Sequence, residues 1–397
     1  MEKNNVDLRE PQKFHTAQVT YLSIGHWIND TYQAFLPSFL PIFIETFSLN
    51  NMMAGALSSF NQFPSLLQPV IGYISDRRNL RWVVILAPAI SAVTMSLLGV
   101  MPEYWMIAFL LLLMGLSSAG LHAVGPALIG KFSGDKIGRG MSFWMVAGEV
   151  GRAMGPLAVV SAIQLFGIKG TPLLMIFGVG ATIILYFQLR NIPNHHTDGD
   201  ELTNWRPALK KVTPFILAIS VINLSMTFLI SGISTFLPTY LTEGGSTLWF
   251  AGASLTIMQA AGVLGAMVSG TWSDRIGRKP LLIAAILISP ISLFLFLFTQ
   301  GFFHYVFLLL MGFSMLSVQP VLMAWIQQAH PDQRALANGL YMAITFVIRS
   351  FIVILIGWMG DRLGLRQAFM VCAGIVLLGL PMVFLIPAKS GSTSASH

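Results

Sequence analysis

Runs of mostly apolar residues, each long enough to cross a hydrocarbon layer, recur along nearly the whole chain, and they restrict its fold more than any other feature. A helix needs about 20 such residues to span a core of roughly 30 Å. Spans are expected at 17–43, 52–75, 82–101, 105–130, 141–164, 171–189, 213–241, 248–272, 280–299, 302–327, 336–360 and 366–387. Lipid offers the backbone no water, so each must be a helix or belong to a closed barrel, and barrel strands are half as long and alternate in polarity. Charged residues make up 10% of the chain against 55% hydrophobic, too few to cover a soluble surface of this size. The expected fold is an all-α polytopic membrane protein with twelve transmembrane helices.

The chain also repeats itself. A shift of 197 residues lays Phe39-Leu40-Pro41 on Phe236-Leu237-Pro238, Ala54-Gly55-Ala56 on Ala251-Gly252-Ala253, Gln62 on Gln259, and Arg152 on Arg349. Two six-helix pseudo-repeats follow, residues 1–190 and 213–397, joined by a polar stretch, 191–212, read as a cytoplasmic linker. Its His195 and His196 lack a third fixed ligand, so no metal is expected there. Parallel halves around a central site are a transporter architecture.

Charge sets the expected orientation. With the amino terminus inside, the inward segments hold 18 of the 23 Lys and Arg residues and the outward segments three. The positive-inside rule then puts both termini in the cytoplasm of a bacterial inner membrane. Basic loops beside headgroups make the lipid bilayer, and not nucleic acid, the partner of the +7 net charge. The first sixteen residues lack the apolar core and cleavage site of a removable signal, so the first span is expected to remain. The lone Cys372 excludes an internal disulfide or a thiolate cluster. A monomer without cofactors is expected, with no Gly-x-Ser-x-Gly elbow or His-Glu-x-x-His pair to suggest an enzyme.

Between the eighth and ninth spans lies Gly270-Thr-Trp-Ser-Asp274-Arg275-Ile-Gly277-Arg278-Lys279; a first copy, Gly72-x3-Asp76-Arg77, lies after the second span with Asn79 in place of the last glycine. This loop resembles the signature loop of the major facilitator superfamily, which implies a conformational gate. A narrower likeness rests on Gly25-His26-Trp27-Ile28-Asn29-Asp30, on Leu66 to Tyr73 and on His122, which resemble the fosmidomycin-resistance branch, a group of proton-driven efflux pumps. That branch has His-Pro-Glu in span four, where this chain has His122-Ala-Val. Gly148, Gly151, Gly155 and Pro156 partly resemble the antiporter motif, and the same small residues would also serve close helix packing.

Ionisable side chains inside spans cost several kcal/mol unless a partner or cavity receives them, so each marks a candidate site. His26 and Asp30 are four apart on one helix face, and Glu149 and Arg152 three apart, a natural ion pair. Asp30, His26 and Glu149 are therefore the candidate proton-coupling groups, with Asp30 foremost. Arg152 and Arg349, related by the repeat, are expected to converge on an anionic substrate. His122, Asn29, Gln62, Asn223, Gln259, Gln319, Trp144 and Trp325 fill out the expected binding site. The reading is a secondary active transporter that exchanges protons for a small anionic or zwitterionic amphipathic solute. Alternatives are a proton-coupled importer of an organic anion and, more remotely, a membrane sensor.

Overall fold

The computed structural model describes residues 13–75, 78–190, 205–329 and 334–386, and among these every regular element is helical. The first span is broken into α1 (Thr16–Gln33) and α2 (Leu36–Phe47), with Pro37 in the first turn of α2, where a missing N–H costs nothing. The second is broken likewise, α3 (Asn51–Gln62) passing through a 3-10 segment at Pro64 into α4 (Gln68–Ser75). The rest of the first half is α5 (Arg81–Leu97), α6 (Tyr104–Ser133), α7 (Ile137–Phe166) and α8 (Met175–Leu189). The second half comprises α9 (Trp205–Glu243), α10 (Leu248–Ile276), α11 (Arg278–Phe298), α12 (Phe302–Leu316), α13 (Val318–Ala329), α14 (Arg334–Leu363), α15 (Leu365–Leu377) and α16 (Leu380–Leu385).

Nine stretches of described helix are long and apolar enough to cross a membrane, and one of them, Tyr104–Phe166, joins the expected fourth and fifth spans through a single short turn. The first two expected spans are long enough but fall short in hydropathy, because they carry polar residues such as His26, Asn29, Asp30, Asn61 and Gln62, and with them the described helices are consistent with twelve. Helix α9 begins at Trp205, inside the stretch read as linker. Residues 191–204, with His195 and His196, lie outside the described residues, as do Asp76 and Arg77 of the first signature loop and the two termini.

Between apolar helices lipid supplies no hydrophobic drive, so close packing and hydrogen bonds must hold the bundle together. The halves meet along α3 with α14, α7 with α10 and α2 with α9. Contact is backbone to backbone: a Cβ added at Gly55 would lie 2.6 Å from the Val353 carbonyl oxygen, and one at Gly357 2.3 Å from that of Asn51. The Ser59 hydroxyl donates to the Ser350 carbonyl at 2.6 Å, and the Leu157 N–H to the Thr256 hydroxyl at 3.1 Å. Asp361, near the end of α14, accepts from the N–H groups of Asn51 and Met52 at 2.6 and 2.9 Å, satisfying free donors at the positive end of α3. Toward the end that carries the basic loops the halves part. There α4 buries none of its residues, and Gly130, Gly138 and Gly339 face open space.

The loop around Asp361 repeats the signature pattern. Gly357-x3-Asp361-Arg362-Leu-Gly364 matches Gly270-x3-Asp274-Arg275-Ile-Gly277, and both final glycines have positive φ, +83° and +96°, as they start the next helix. Of the two described copies, only that of Asp361 grips another helix. Asp274 instead pairs with Arg278 of its own loop at 2.5 Å.

Candidate functional site

Helix α7 lies unusually close to α1 because Gly148, Gly151 and Gly155 face it. Added Cβ atoms there would lie 2.4 Å from the His26 ring and 2.3 Å from the Trp27 and Thr31 carbonyl oxygens. This approach brings Arg152 to Asp30, which is wholly buried one turn from the break that ends α1. The Asp30 oxygens are each engaged: Oδ2 accepts from Arg152 Nη1 at 2.8 Å and Oδ1 from Asn29 Nδ2 at 2.9 Å. Ser91 of α5 donates to Asn29 at 2.5 Å and fixes its orientation. Through Nη2, Arg152 also donates to Glu149, so a single guanidinium bridges carboxylates of α1 and α7.

Two imidazoles complete the cluster. His26 stacks on the Trp144 indole, with centroids 4.0 Å apart and planes 16° apart, and its Nε2 lies 3.4 Å from Asp30 Oδ2. His122, from α6, places its Nε2 3.2 Å from that of His26 and 3.7 Å from Asp30 Oδ1. The opposite ring nitrogens decide the protonation pattern. His26 Nδ1 lies 2.9 Å from the Trp144 carbonyl oxygen and His122 Nδ1 2.8 Å from that of Ser118. A carbonyl can only accept, so each Nδ1 carries the hydrogen, and in neutral rings both Nε2 atoms are bare acceptors. Two lone pairs and a carboxylate thus converge with no hydrogen among them. The arrangement is satisfied by one added positive charge.

Arg349, expected to pair functionally with Arg152, lies on α14 within electrostatic range of Arg152 and Glu149, across the space between the halves. It is partly buried and, among the described residues, makes no hydrogen bond or ion pair. The repeat therefore brings two arginines together but leaves them unequal: Arg152 is held by two carboxylates and Arg349 by none.

The remaining expected residues divide. Gln62 and Gln259 are partly buried, and Gln62 Oε1 has no hydrogen-bond partner. Asn223 donates to Thr345 at 2.9 Å and Gln319 accepts from Tyr341 at 3.0 Å, tying α9 and α13 to α14. Trp144, 1% exposed, backs His26, Asn29 is wholly buried, and Trp325 packs against Phe215, so these three reach a ligand only through neighbours. Of the expected gating residues, Gly72 and Gly270 face open space, Arg278 ties Asp274 and Ser273 together, and Arg275 is exposed. Sequence reasoning missed Ser91, Ser118 and Asp361. Ser118 stands one turn before His122 and was findable; Ser91 carries no local signal; Asp361 lies in a recurrence of a pattern already noticed.

A sequence profile described as Major Facilitator Superfamily matches residues 22–271 and 250–396. Among characterised relatives, the fosmidomycin resistance protein of Escherichia coli (strain K12) is 24% identical over 377 residues, covering 92% of this chain and 91% of that protein. The multidrug resistance protein MdtG of Salmonella typhi is 22% identical over 301 residues, covering 71% of this chain and 73% of its own. In fold, the chain is similar to a bacterial homolog of the human lysosomal transporter Spinster, solved inward-facing and unoccupied, with a TM-score of 0.79 at 14% identity over 94% of this chain and 97% of that one.

Proposed function

The chain belongs to the Major Facilitator Superfamily of transporters, and from that premise we propose that it is a proton-coupled secondary transporter exporting a small zwitterionic or anionic amphipathic compound. The observation that carries the proposal is the convergence of His26, His122 and Asp30 on a place for one positive charge, beside a free arginine. A proton bound there makes the histidine pair cationic and offsets Asp30, which weakens its hold on Arg152. When the proton leaves, Asp30 and Arg152 close on each other again. A zwitterion answers both features: its acid meets Arg349, and its cationic group nears the acceptors and makes a proton there unfavourable. Substrate and proton then exclude each other, which is the condition for exchange as the halves alternate. Drug-resistance relatives support export.

A second reading follows from the same free Arg349. A purely anionic solute adds no competing cation, and its negative charge favours the proton, so the two would travel together as in an importer. Under the orientation drawn from the basic loops, the space between the halves opens to the cytoplasm.

The test begins with a susceptibility screen in a strain lacking its own pumps, covering anionic, zwitterionic and neutral antibacterials, fosmidomycin and other phosphonates among them. The selected compound is then followed in proteoliposomes under an imposed pH gradient. Asp30→Asn should abolish gradient-driven movement and spare counterflow; undiminished gradient-driven transport in that variant refutes the coupling role. Accumulation against the proton flow marks exchange, and accumulation with it marks import.

A further inference from the structure

We propose that His26, Asp30 and His122 also form a binding site for a divalent cation of the zinc class, open to the space between the halves at its fourth position. The proposal uses the side chains of the proton reading but does not depend on transport.

Size is the first argument. His26 Nε2 lies 3.2 Å from His122 Nε2 and 3.4 Å from Asp30 Oδ2, and His122 Nε2 lies 3.7 Å from Asp30 Oδ1, separations of the size found between neighbouring ligands that each bind zinc at about 2.0–2.1 Å in a tetrahedral site. Calcium, which takes six or more oxygens at about 2.3–2.6 Å, is too large and finds too few of them. An ammonium group, needing about 2.8 Å to each acceptor, is excluded from the centre as well.

Ligand chemistry agrees. Two imidazoles and one carboxylate suit zinc, cobalt and nickel over magnesium or calcium. Metal-bound histidines characteristically donate their other nitrogen to a backbone carbonyl, as His26 does to Trp144 and His122 to Ser118. The carboxylate is fixed too, by Asn29 on one oxygen and Arg152 on the other. Arg152 is the one unfavourable charge nearby, and Glu149 pairs with it, so Asp30, Glu149 and Arg152 together carry one net negative charge. The His122 side chain is 27% exposed where those of His26 and Asp30 are 4% and 0%, which puts the open position on the His122 side.

The experiment is a Co2+ titration of the purified, untagged full chain in lipid nanodiscs, read by the visible absorption of low-coordinate Co2+ and by metal analysis. One Co2+ per chain is expected, displaced by Zn2+ and not by Mg2+ or Ca2+. His26→Gln and His122→Gln should each weaken binding at least ~10-fold, while His122→Cys, which keeps a ligand, should retain it. Elution profile and thermal unfolding score the fold of every variant, and the His122→Cys arm reports on the site even where a glutamine variant misfolds. No saturable absorption, binding undiminished in the folded glutamine variants, or binding lost instead in a His195→Gln/His196→Gln variant each overturns the site. Loss of coupling in Asp30→Asn without a Co2+ site rejects the metal alone; a Co2+ site without proton coupling rejects the proton reading alone.

Discussion

Arg152 and Arg349 occupy equivalent repeat positions and do opposite things. One guanidinium spends its donors on Asp30 and Glu149; the other, partly buried on α14 within electrostatic range of the first, has no hydrogen-bond partner among the described residues. A bidentate anion gains most from the free one, because no existing pair must break first. Arg349→Ala should therefore raise the Kd of an anionic or zwitterionic substrate ~10-fold or more, the loss of one charge-assisted contact of about 1.5–3 kcal/mol. Binding of a neutral compound should change little, and equal losses for both would reject Arg349 as an anion contact. Glu149 with Arg152, and His26 with Asp30, were legible in the sequence because helical spacing alone makes them neighbours. Asp30 with Arg152 and His26 with His122 were not. Those contacts cross between helices and depend on how closely α7 seats on α1, which three glycines decide and no spacing rule gives.

The elements carry their own logic in the loop pattern Gly-x3-Asp-Arg-x-Gly. A carboxylate held at a helix amino terminus stabilises it through free N–H groups and the helix dipole, and Asp361 does this for α3, the partner helix of the other half. Asp274, in the same pattern at the opposite end, has only its own loop to hold. A carboxylate engaged at the closed end and its counterpart disengaged at the open end make a latch that favours the present arrangement. Asp361→Asn removes the charge but keeps the shape. It should cost the closed end about 0.5–2 kcal/mol, shifting the equilibrium toward the alternative arrangement by ~2- to 30-fold. Spin-label distances between α3 and α14 at that end, measured in nanodiscs, should show a larger separated population, and an unchanged distribution would dismiss the latch. A comparison at one repeat offset does not reveal this copy, because it falls outside the two-half register. Helix breaks were equally illegible: Pro37 and Pro64 interrupt their spans while Pro214 and Pro238 lie within an unbroken α9, so neighbours and not proline alone decide.

At the scale of the whole molecule, hydropathy specified the helical class, since that follows from what lipid forbids, and the internal repeat is the ground for dividing the chain into two halves. Where the halves touch was not specified, because that is a property of one conformation. They touch where α7 meets α10, and there a Cβ added at Gly252 would lie 2.6 Å from a γ carbon of Val160. Cysteines at these two positions would place their β carbons about 3.3 Å apart, a few tenths of an ångström inside the usual disulfide spacing, so a bridge needs only a slight parting of the two helices. The background is simple to prepare, since the single native thiol, Cys372, is buried and can become serine. In Cys372→Ser with Val160→Cys and Gly252→Cys, oxidation should join the halves at their closed end. If transport requires that end to open, oxidised protein should lose gradient-driven transport and counterflow together, retain substrate binding from the open side, and recover both activities on reduction. Each single-cysteine variant should be indifferent to oxidant. Transport that persists after complete cross-linking, shown by non-reducing mobility after cleavage in the 191–212 stretch, would mean that this contact survives the cycle and that the halves part elsewhere.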